Sequence, residues 1–299
     1  VHVQWMPLPV ADAHWLGRWR ALGGPALVHT VHNASAFHGE RDGGAYARLL
    51  MQFDRLIVHG EETRSALRAQ GIAEEHIALV PHPPMRLRSA DPLNLGAIPD
   101  PKLPRLLFFG TIRPYKGFDL LIAACFALWR DGAKFELAVA GKPFMNIEPL
   151  IEQVRAAGFG DRLILDLDFL REEQLDAHLQ KADMIVFPYR HIDSSGAFLS
   201  ALHYGKAMIC TRVGMFGSLK PSADGEGPVV LCDPDSASAL AEAIRPLIGD
   251  LARRQQMGIR ARELGDAMGG WPEAASATVR VYEDALARVN KREPTGKPQ

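Results

Sequence analysis

Short apolar runs alternate along the chain with segments in which apolar residues recur every three or four positions. The runs have the length and β-branched content of buried strands, and the segments between them have the period of helices that bury one face. This alternation is typical of βα units, in which helices cover both faces of a parallel sheet. The predicted strands lie near residues 1–5, 26–31, 54–58, 77–80, 105–109, 135–140, 162–166, 184–187, 207–211 and 228–231.

One segment interrupts the alternation. The stretch "SADPLNLGAIPDPKLPRL" is rich in Pro, Asp and Ser and has no sustained period, which predicts a linker. We therefore expect a first domain at 1–95, a linker at 96–104 and a second domain at 105–270. The second holds enough strands for a whole doubly wound domain. The first holds fewer, and the chain opens directly on a strand, so we expect this domain to lack βα units at its N-terminus.

Three helices are predicted after the last strand, at 236–248, 250–265 and 271–289. The last places apolar residues at helical spacing, so it should bury one face, and a return to pack on the first domain is one alternative for it. The final residues, 290–299, are polar and are predicted to be disordered.

Composition narrows the class of protein. With 299 residues, 47% of them apolar and 23% charged, the chain is an ordinary globular protein. A net charge of -1 gives no overall reason to expect nucleic acid as a partner. Basic residues gather at 86–88, at 253–262 and in the tail. Solvated helix faces are the favoured interpretation, and peripheral contact with anionic lipid through one of them is the alternative.

The location is inferred from two further features. No apolar run is long enough to span a membrane, and the first residues lack the pattern of a secretory signal. Cys125, Cys210 and Cys232 lie in apolar segments without C-x-x-C spacing, which predicts buried thiols in a reducing compartment. We expect a cytoplasmic protein, with a peripheral position at the inner membrane face as an alternative, and no metal.

The stretch "LLFFGTIRPYKGFDLLIAA" runs from a buried strand through a basic loop into an amphipathic helix. Gly110 ends the strand, and Arg113 and Lys116 lie just before the helix, whose N-terminus should face the carboxyl edge of the sheet. Backbone N–H groups and two cations there suit a diphosphate. The loop matches neither G-x-G-x-x-G nor a Walker A loop. A solvated basic turn is the alternative.

A second strand-loop-helix unit follows at 184–204. Its polar loop, Tyr189 to Ser195, leads through Gly196 into a short helix predicted at 197–204. Ser-Gly before a helix is often only a cap, but two such units in one sheet favour a shared anionic ligand.

A third candidate is His32, which ends a strand in "PALVHTVHN" and can project into a cleft. His29 and His32 should point to opposite faces of the strand, which argues against a shared metal. Other histidines are interpreted as structural: His2, His14, His38, His59 and His76.

Four stretches in this order resemble a family 4 (group 1) glycosyltransferase with the GT-B fold, in which two Rossmann-like domains face each other across an interdomain cleft. They are "HTVHN", "FDRLIVHGEETRSALRAQGIAEEHIALVPHP", "FFGTIRPYKGFDLLIAA" and "ADMIVFPYRHIDSSGAFLSALHYGKAMICTRVG". The resemblance covers nearly the whole chain. It implies transfer of a sugar from a UDP- or GDP-linked donor to a hydroxyl of a glycan or lipid-linked acceptor, in polysaccharide or glycolipid synthesis. It also implies retention of configuration, with no metal and no other cofactor.

The resemblance also assigns site residues. His32 would face the transferred sugar as the catalytic residue, and Lys116 would contact the donor diphosphate. The remaining donor-binding residues are Gly110, Arg113, Phe169, Leu170, Asp193, Ser194, Ser195, Gly196 and Ser200, with Phe169 and Leu170 at the nucleobase.

This chain departs from the family at its Glu-x7-Glu motif. Ile192 and Ser200 stand where the two carboxylates are expected, and Ser200 would bind the ribose only as a shorter, neutral partner. The departure leaves a second hypothesis open, a GT-B protein that binds a nucleotide sugar or a partner without efficient transfer. A GT-B epimerase is disfavoured because few acidic residues fall in the predicted cleft.

Overall fold

The computed structural model describes residues 1–6, 8–34, 44–219 and 227–291. The chain divides into two compact units. The first comprises Val1–Pro83 with Gly269–Gln299, and the second comprises Pro84–Met268. Each of the ten predicted strands corresponds to a strand of the described residues, within three residues at either end.

The described part of the first unit contains a four-stranded parallel sheet in the order β1-β2-β3-β4. Successive residues of its strands point to opposite faces, so Leu56 and Val58 enter one core and Ile57 enters the other. The elements of this unit are β1 (His2–Val3), α1 (Pro9–Ala21), β2 (Val28–Thr30), α2 (Ala45–Leu50), β3 (Arg55–Val58), α3 (Glu61–Ala69) and β4 (Ile77–Leu79).

The helix that follows the second unit lies in the first. This helix is numbered α12, spans Trp271–Asn290, and packs Val281 and Ala285 against Val28 and Ile57 of the sheet. Asp284 pairs with Arg55 at 2.5 Å, which fixes the helix along β3. Of the tail predicted to be disordered, residues 292–299 lie outside the described residues.

The described residues of the second unit form a six-stranded parallel sheet in the order β10-β9-β8-β5-β6-β7. Helices cover both faces, and adjacent residues of β5 again divide between two cores. Its elements are α4 (Pro92–Ala97), β5 (Arg105–Phe109), α5 (Phe118–Arg130), β6 (Glu136–Ala140), α6 (Glu148–Ala156), β7 (Leu163–Asp166), α7 (Glu172–Lys181), β8 (Met184–Phe187), α8 (Gly196–Ala201), β9 (Ala207–Thr211), α9 (Gly214–Gly217), β10 (Val229–Cys232), α10 (Ala237–Gly249) and α11 (Leu251–Ala267).

The structure differs from the sequence-based division around residues 84–104. These residues belong to the second unit, whereas the sequence analysis divided them between the first domain and a linker. Part of the segment is the helix α4, which Asp91 caps by accepting from the N–H of Asn94 at 2.8 Å. Ala90 and Lys102 also donate their N–H groups to Asp176 and Glu136, so the segment is bonded to the sheet and its helices.

Candidate functional site

In the parallel sheet of the second unit, the order in which the chain adds strands reverses between β5 and β8. From β5 the chain adds β6 and β7 on one side, and then crosses to add β8, β9 and β10 on the other. Parallel α/β sheets bind ligands at such a switch point, outside the carboxyl ends of the two strands. The two strand-loop-helix units singled out in the sequence therefore leave the sheet side by side.

The two loops are joined directly. The N–H of Arg190 donates to the carbonyl of Tyr115 at 2.7 Å, and the Arg190 guanidinium donates to both carboxylate oxygens of Asp119, at 2.7 and 2.8 Å. Gly117 has a φ of +67°, and a Cβ there would lie 2.0 Å from the carbonyl oxygen of Pro188. Only glycine fits both demands. The basic loop, 111–117, and the loop after β8, 188–195, therefore pack against each other, and the surface that they form together is called the floor of the site.

Lys116 lies on this floor almost out of solvent. Lys116 is 7% exposed, and its Nζ lies 5.5 Å from the centre of the Tyr189 ring. Burial, followed by the charge of Arg113, lowers the pKa of Lys116 to about 8. No described residue gives it an ion pair or a hydrogen bond. A buried cation without a counter-ion is costly, and an anionic ligand would remove that cost.

Gly110 provides the space for this ammonium group. Its φ is +87°, and a Cβ in its place would lie 3.0 Å from Lys116 Nζ. Any side chain there would occupy the approach to the lysine. Gly110 therefore belongs to the site because, without a side chain, it leaves the approach to Lys116 open.

Two aromatic rings flank the other side of the basic loop. The guanidinium of Arg113 lies 4.4 Å from the centre of the Phe144 ring, and Lys142 Nζ lies 4.6 Å from that of Phe169. The two rings stand edge to face with centres 6.0 Å apart, and both are exposed. Leu170, also predicted here, is half-buried against the core. Phe144 and Lys142 were not predicted from the sequence, although they follow directly after a strand at the same sheet edge.

The N-termini of α5 and α8 are less suited to bind an anion than the sequence predicts. The carboxylate of Asp119 lies in the first turn of α5, and its pKa is lowered chiefly because Arg190 donates to it, with further help from the N–H groups of Asp119 and Leu120. The helix α8 has six residues, so its dipole is small. The N–H of Ser195 already donates to Met215 Sδ at 3.0 Å, and its hydroxyl caps the helix by accepting from Phe198.

The remaining predicted residues of this loop differ in access. Asp193 and Ser194 are half-buried, and Gly196 begins α8. Ser200 is 3% exposed and donates its hydroxyl to the carbonyl of Gly196 at 2.9 Å. Ribose binding at Ser200 therefore stays a prediction. While the Ser200 hydroxyl donates to the carbonyl of Gly196, it could only accept a hydrogen bond from a ribose.

His32 lies in the first unit, on a cavity of about 490 Å³ at the carboxyl edge of the sheet. Its ring stacks on Trp5 with centres 4.4 Å apart, and its Nε2 lies 3.0 Å from Gln4 Oε1. Burial and the neighbouring histidines, His59 first among them, lower the pKa of His32 to about 4. The imidazole is therefore neutral at pH 7 and acts as a polar, uncharged group.

Other histidines share this cavity. The rings of His59 and His82 lie 5.2 Å apart, and His82 meets Trp271 edge to face at 5.8 Å. His2 lies within hydrogen-bond distance of Thr30 Oγ1 and Tyr282 OH. His2 and His59, interpreted from the sequence as structural, both line this cavity, while His38 lies outside the described residues.

Comparison with solved structures defines the class. Sucrose-phosphate synthase from Thermosynechococcus elongatus matches 96% of this chain and 73% of its own, with a TM-score of 0.77 and 21% identity. HepE of Anabaena, solved in complex with UDP-glucose, matches 93% of this chain and 77% of its own, with a TM-score of 0.72 and 14% identity. The protein has the GT-B fold, as the sequence predicted.

Comparison with sequences shows which proteins the chain resembles. Residues 103–250 match the model of the glycosyl transferases group 1. A D-inositol 3-phosphate glycosyltransferase of Kineococcus radiotolerans is 27% identical over 87% of this chain and 66% of its own length. A GDP-mannose:glycolipid 4-beta-D-mannosyltransferase of Xanthomonas campestris is 25% identical over 62% of this chain and 50% of its own.

Through residues 103–250, which lie in the second unit, the chain is similar to the group 1 glycosyltransferases. It spans 66% of the length of the Kineococcus protein, and so somewhat less than two thirds of that relative.

Proposed function

We propose that this protein transfers a sugar from a UDP- or GDP-linked donor to a hydroxyl group of an acceptor. The second unit would bind the donor and the first would bind the acceptor. The observation that carries the proposal is Lys116, a buried lysine that has no counter-ion among the described residues and lies at the switch point of a GT-B sheet. Relatives named as glycosyltransferases support the reaction class.

The donor would lie across the carboxyl ends of β5 and β8. Its diphosphate would contact Lys116 and Arg113, and its base would lie against Phe144 and Phe169, whose exposed faces suit stacking. The HepE structures, which contain UDP and UDP-glucose, support a nucleotide sugar at this fold. The loop from Asp193 to Gly196 would contact the sugar.

The chemistry proposed for the site is stabilisation of the leaving group. Negative charge develops on the diphosphate as the glycosidic bond breaks, and fixed cations placed before the reaction stabilise that charge most effectively. Lys116 and Arg113 would provide them, without a metal ion. The transition state would resemble an oxocarbenium ion, and the transfer would retain the anomeric configuration. The neutral His32 would position the sugar or the acceptor by hydrogen bonding.

The acceptor proposed is a glycan or a lipid-linked sugar. Neutral imidazoles around the cavity of the first unit can both donate to and accept from hydroxyl groups, and Trp271 offers an apolar surface to a sugar ring. One relative is named for transfer to a glycolipid. We place the reaction in polysaccharide or glycolipid synthesis in the cytoplasm, where the buried free thiols at Cys125, Cys210 and Cys232 would stay reduced.

A second candidate is a protein that binds nucleotide sugars without efficient transfer. Ile192 and Ser200 replace the two carboxylates expected at the donor, and Ser200 is buried with its hydroxyl engaged. Nucleotide binding without hydrolysis or transfer of any UDP- or GDP-sugar would support this alternative.

Calorimetric titration with UDP and with GDP tests donor binding. Lys116→Ala should weaken the preferred nucleotide at least about tenfold, because a charged hydrogen bond to phosphate is lost. The matched control is Lys134→Ala, an exposed lysine in the turn before β6, at the opposite edge of the sheet. Equal affinities for the two variants would contradict the diphosphate assignment.

A further inference from the structure

Arg190, in the loop after β8, bonds to three other segments of the second unit. Its guanidinium donates to the carbonyl of Pro114 at 3.0 Å and, as a fork, to both carboxylate oxygens of Asp119. Its Nε lies 2.9 Å from a carboxylate oxygen of Asp235, in the segment after β10. One side chain therefore connects the segments that follow the carboxyl ends of β5, β8 and β10.

The bonds of Arg190 converge on the turn that carries Lys116. This turn spans Pro114–Lys116 and is a single turn of 3-10 helix. The backbone N–H of Arg190 donates to the carbonyl of Tyr115 at 2.7 Å, while its guanidinium donates to the preceding carbonyl. A turn this short makes few hydrogen bonds of its own, so its position depends on contacts from outside. Arg190 supplies two of them.

The same guanidinium neutralises a carboxylate beside the turn. Asp119 lies three residues after Lys116, in the first turn of α5, and its side chain is 41% exposed. An unpaired carboxylate at this place would repel a diphosphate that approached Lys116. The fork of a guanidinium matches a carboxylate with two parallel bonds, which an ammonium group cannot do.

We propose that Arg190 is a positioning residue of the donor site, which fixes the turn that carries Lys116 and neutralises Asp119 beside it. The role rests on the proposed function, because the ligand that it serves is the donor diphosphate. Arg190 was not predicted from the sequence as a site residue. Its partners Pro114 and Asp119 lie 76 and 71 residues earlier in the chain, and contacts over such distances leave no local pattern.

Labelling of lysines with acetic anhydride tests the positioning without any ligand. Burial lowers the pKa of Lys116 to about 8, so in the wild-type chain its labelling, followed by mass spectrometry over a pH series, should have its midpoint near pH 8. Arg190→Gln should raise this midpoint toward the range of an exposed lysine, because a released turn lets water reach the ammonium group.

The matched control for labelling is Arg245→Gln. Arg245 pairs with Asp131 at 2.6 Å, at the other end of α5, so this variant also removes an ion pair from that helix. The labelling midpoint of Lys116 should not move in it. A loss of stability alone would therefore not produce the result expected for Arg190→Gln.

Titration with UDP and with GDP tests the consequence for binding. Arg190→Gln should weaken the preferred nucleotide at least about tenfold, whereas Arg245→Gln should bind it as the wild type does. Adding Asp119→Asn to Arg190→Gln should recover part of the loss, because the repelling carboxylate is removed. Arg190→Lys should bind with intermediate affinity, since it keeps the charge without the fork.

Two results would overturn the positioning role. One is an unchanged labelling midpoint of Lys116 in Arg190→Gln, and the other is equal nucleotide affinity in Arg190→Gln and Arg245→Gln. A wild-type chain that binds neither nucleotide, with the midpoint still shifted in Arg190→Gln, would contradict the proposed function and support the positioning of Lys116. Circular dichroism checks the fold of each variant, and Arg190→Lys replaces Arg190→Gln in both experiments if the latter does not fold.

Discussion

Lys116 combines burial, a neighbouring cation and the lack of a counter-ion among the described residues. Its pKa of about 8 gives the proposed site a pH dependence whose direction is fixed. Below pH 8 the ammonium is charged and can pair with a diphosphate; as the pH rises through 8, the free protein loses that charge. Nucleotide affinity should therefore be steady near pH 7 and fall by pH 9.5.

Calorimetry across this range, with the preferred nucleotide, checks the direction. Lys116→Arg is the matched control, because a guanidinium stays charged throughout. Its affinity should show no decline above pH 8. An equal decline in both proteins would mean that another group titrates.

Phe144 and Phe169 make a second residue-scale prediction. If a base stacks on these rings, Phe144→Ala should weaken UDP or GDP roughly tenfold, the usual cost of losing one stacking partner. Inorganic pyrophosphate lacks a base, so its affinity should not change. Titrating both ligands distinguishes loss of stacking from a displaced Arg113, which would weaken pyrophosphate as well.

Phe144 shows why part of the candidate site could not be predicted from the sequence. Lys116 and Arg113 could be found because they lie between a buried strand and an amphipathic helix, in a pattern with its own physical meaning. A lone exposed phenylalanine in a loop carries no period and no charge. Its role is visible only once Arg113, Lys142 and Phe169 are seen around it.

At the scale of elements, the contact between the two loops depends on Gly117. Gly117→Ala introduces a Cβ 2.0 Å from the carbonyl oxygen of Pro188, in addition to the strain of a positive φ. Gly132→Ala pays the same conformational cost at φ +85° but meets no atom within 4 Å. Gly117→Ala should therefore lower the free energy of unfolding by about 2 kcal/mol more than Gly132→Ala.

Urea denaturation of the two variants measures this difference. Equal losses of stability would mean that the loops can separate freely, and the common floor would not be a fixed structure. A larger loss in Gly117→Ala together with weaker nucleotide binding would link the floor to the donor.

Strands and most helices could be predicted because burial on both sheet faces leaves continuous apolar runs. The helix α4 was missed because it is short and its apolar residues show no sustained period, although Asp91 followed by Pro92 is a recognisable start. The adjacency of β5 and β8 could not be read from the chain, because pairing between distant strands leaves no local pattern. That adjacency is what brings the two predicted loops together.

At the scale of the whole molecule, the histidines of the first unit predict sensitivity to acid. Burial is the first cause that lowers the pKa values of His2, His29, His32 and His59, and neighbouring imidazoles contribute at each. A lowered pKa in the folded state means that the unfolded chain takes up protons first. Stability should be full above about pH 6.5 and decline as the pH falls toward 4.

Thermal unfolding at pH 7.5 and pH 5 checks this expectation, and the Tm should be several degrees lower at pH 5. His32→Gln should reduce the difference, while His14→Gln, at an exposed position of α1, should not. No change in Tm between the two pH values would contradict the expectation that these histidines are buried and neutral in the folded protein.

We expect the diphosphate of a nucleotide sugar to bind beside Lys116, at the carboxyl ends of β5 and β8. A crystal structure of the chain soaked with UDP and with GDP tests it most directly. Diphosphate density should lie in hydrogen-bond contact with Lys116 Nζ, and the base should lie against Phe144 and Phe169. A nucleotide bound elsewhere, with Lys116 still lacking an anionic partner, would contradict it.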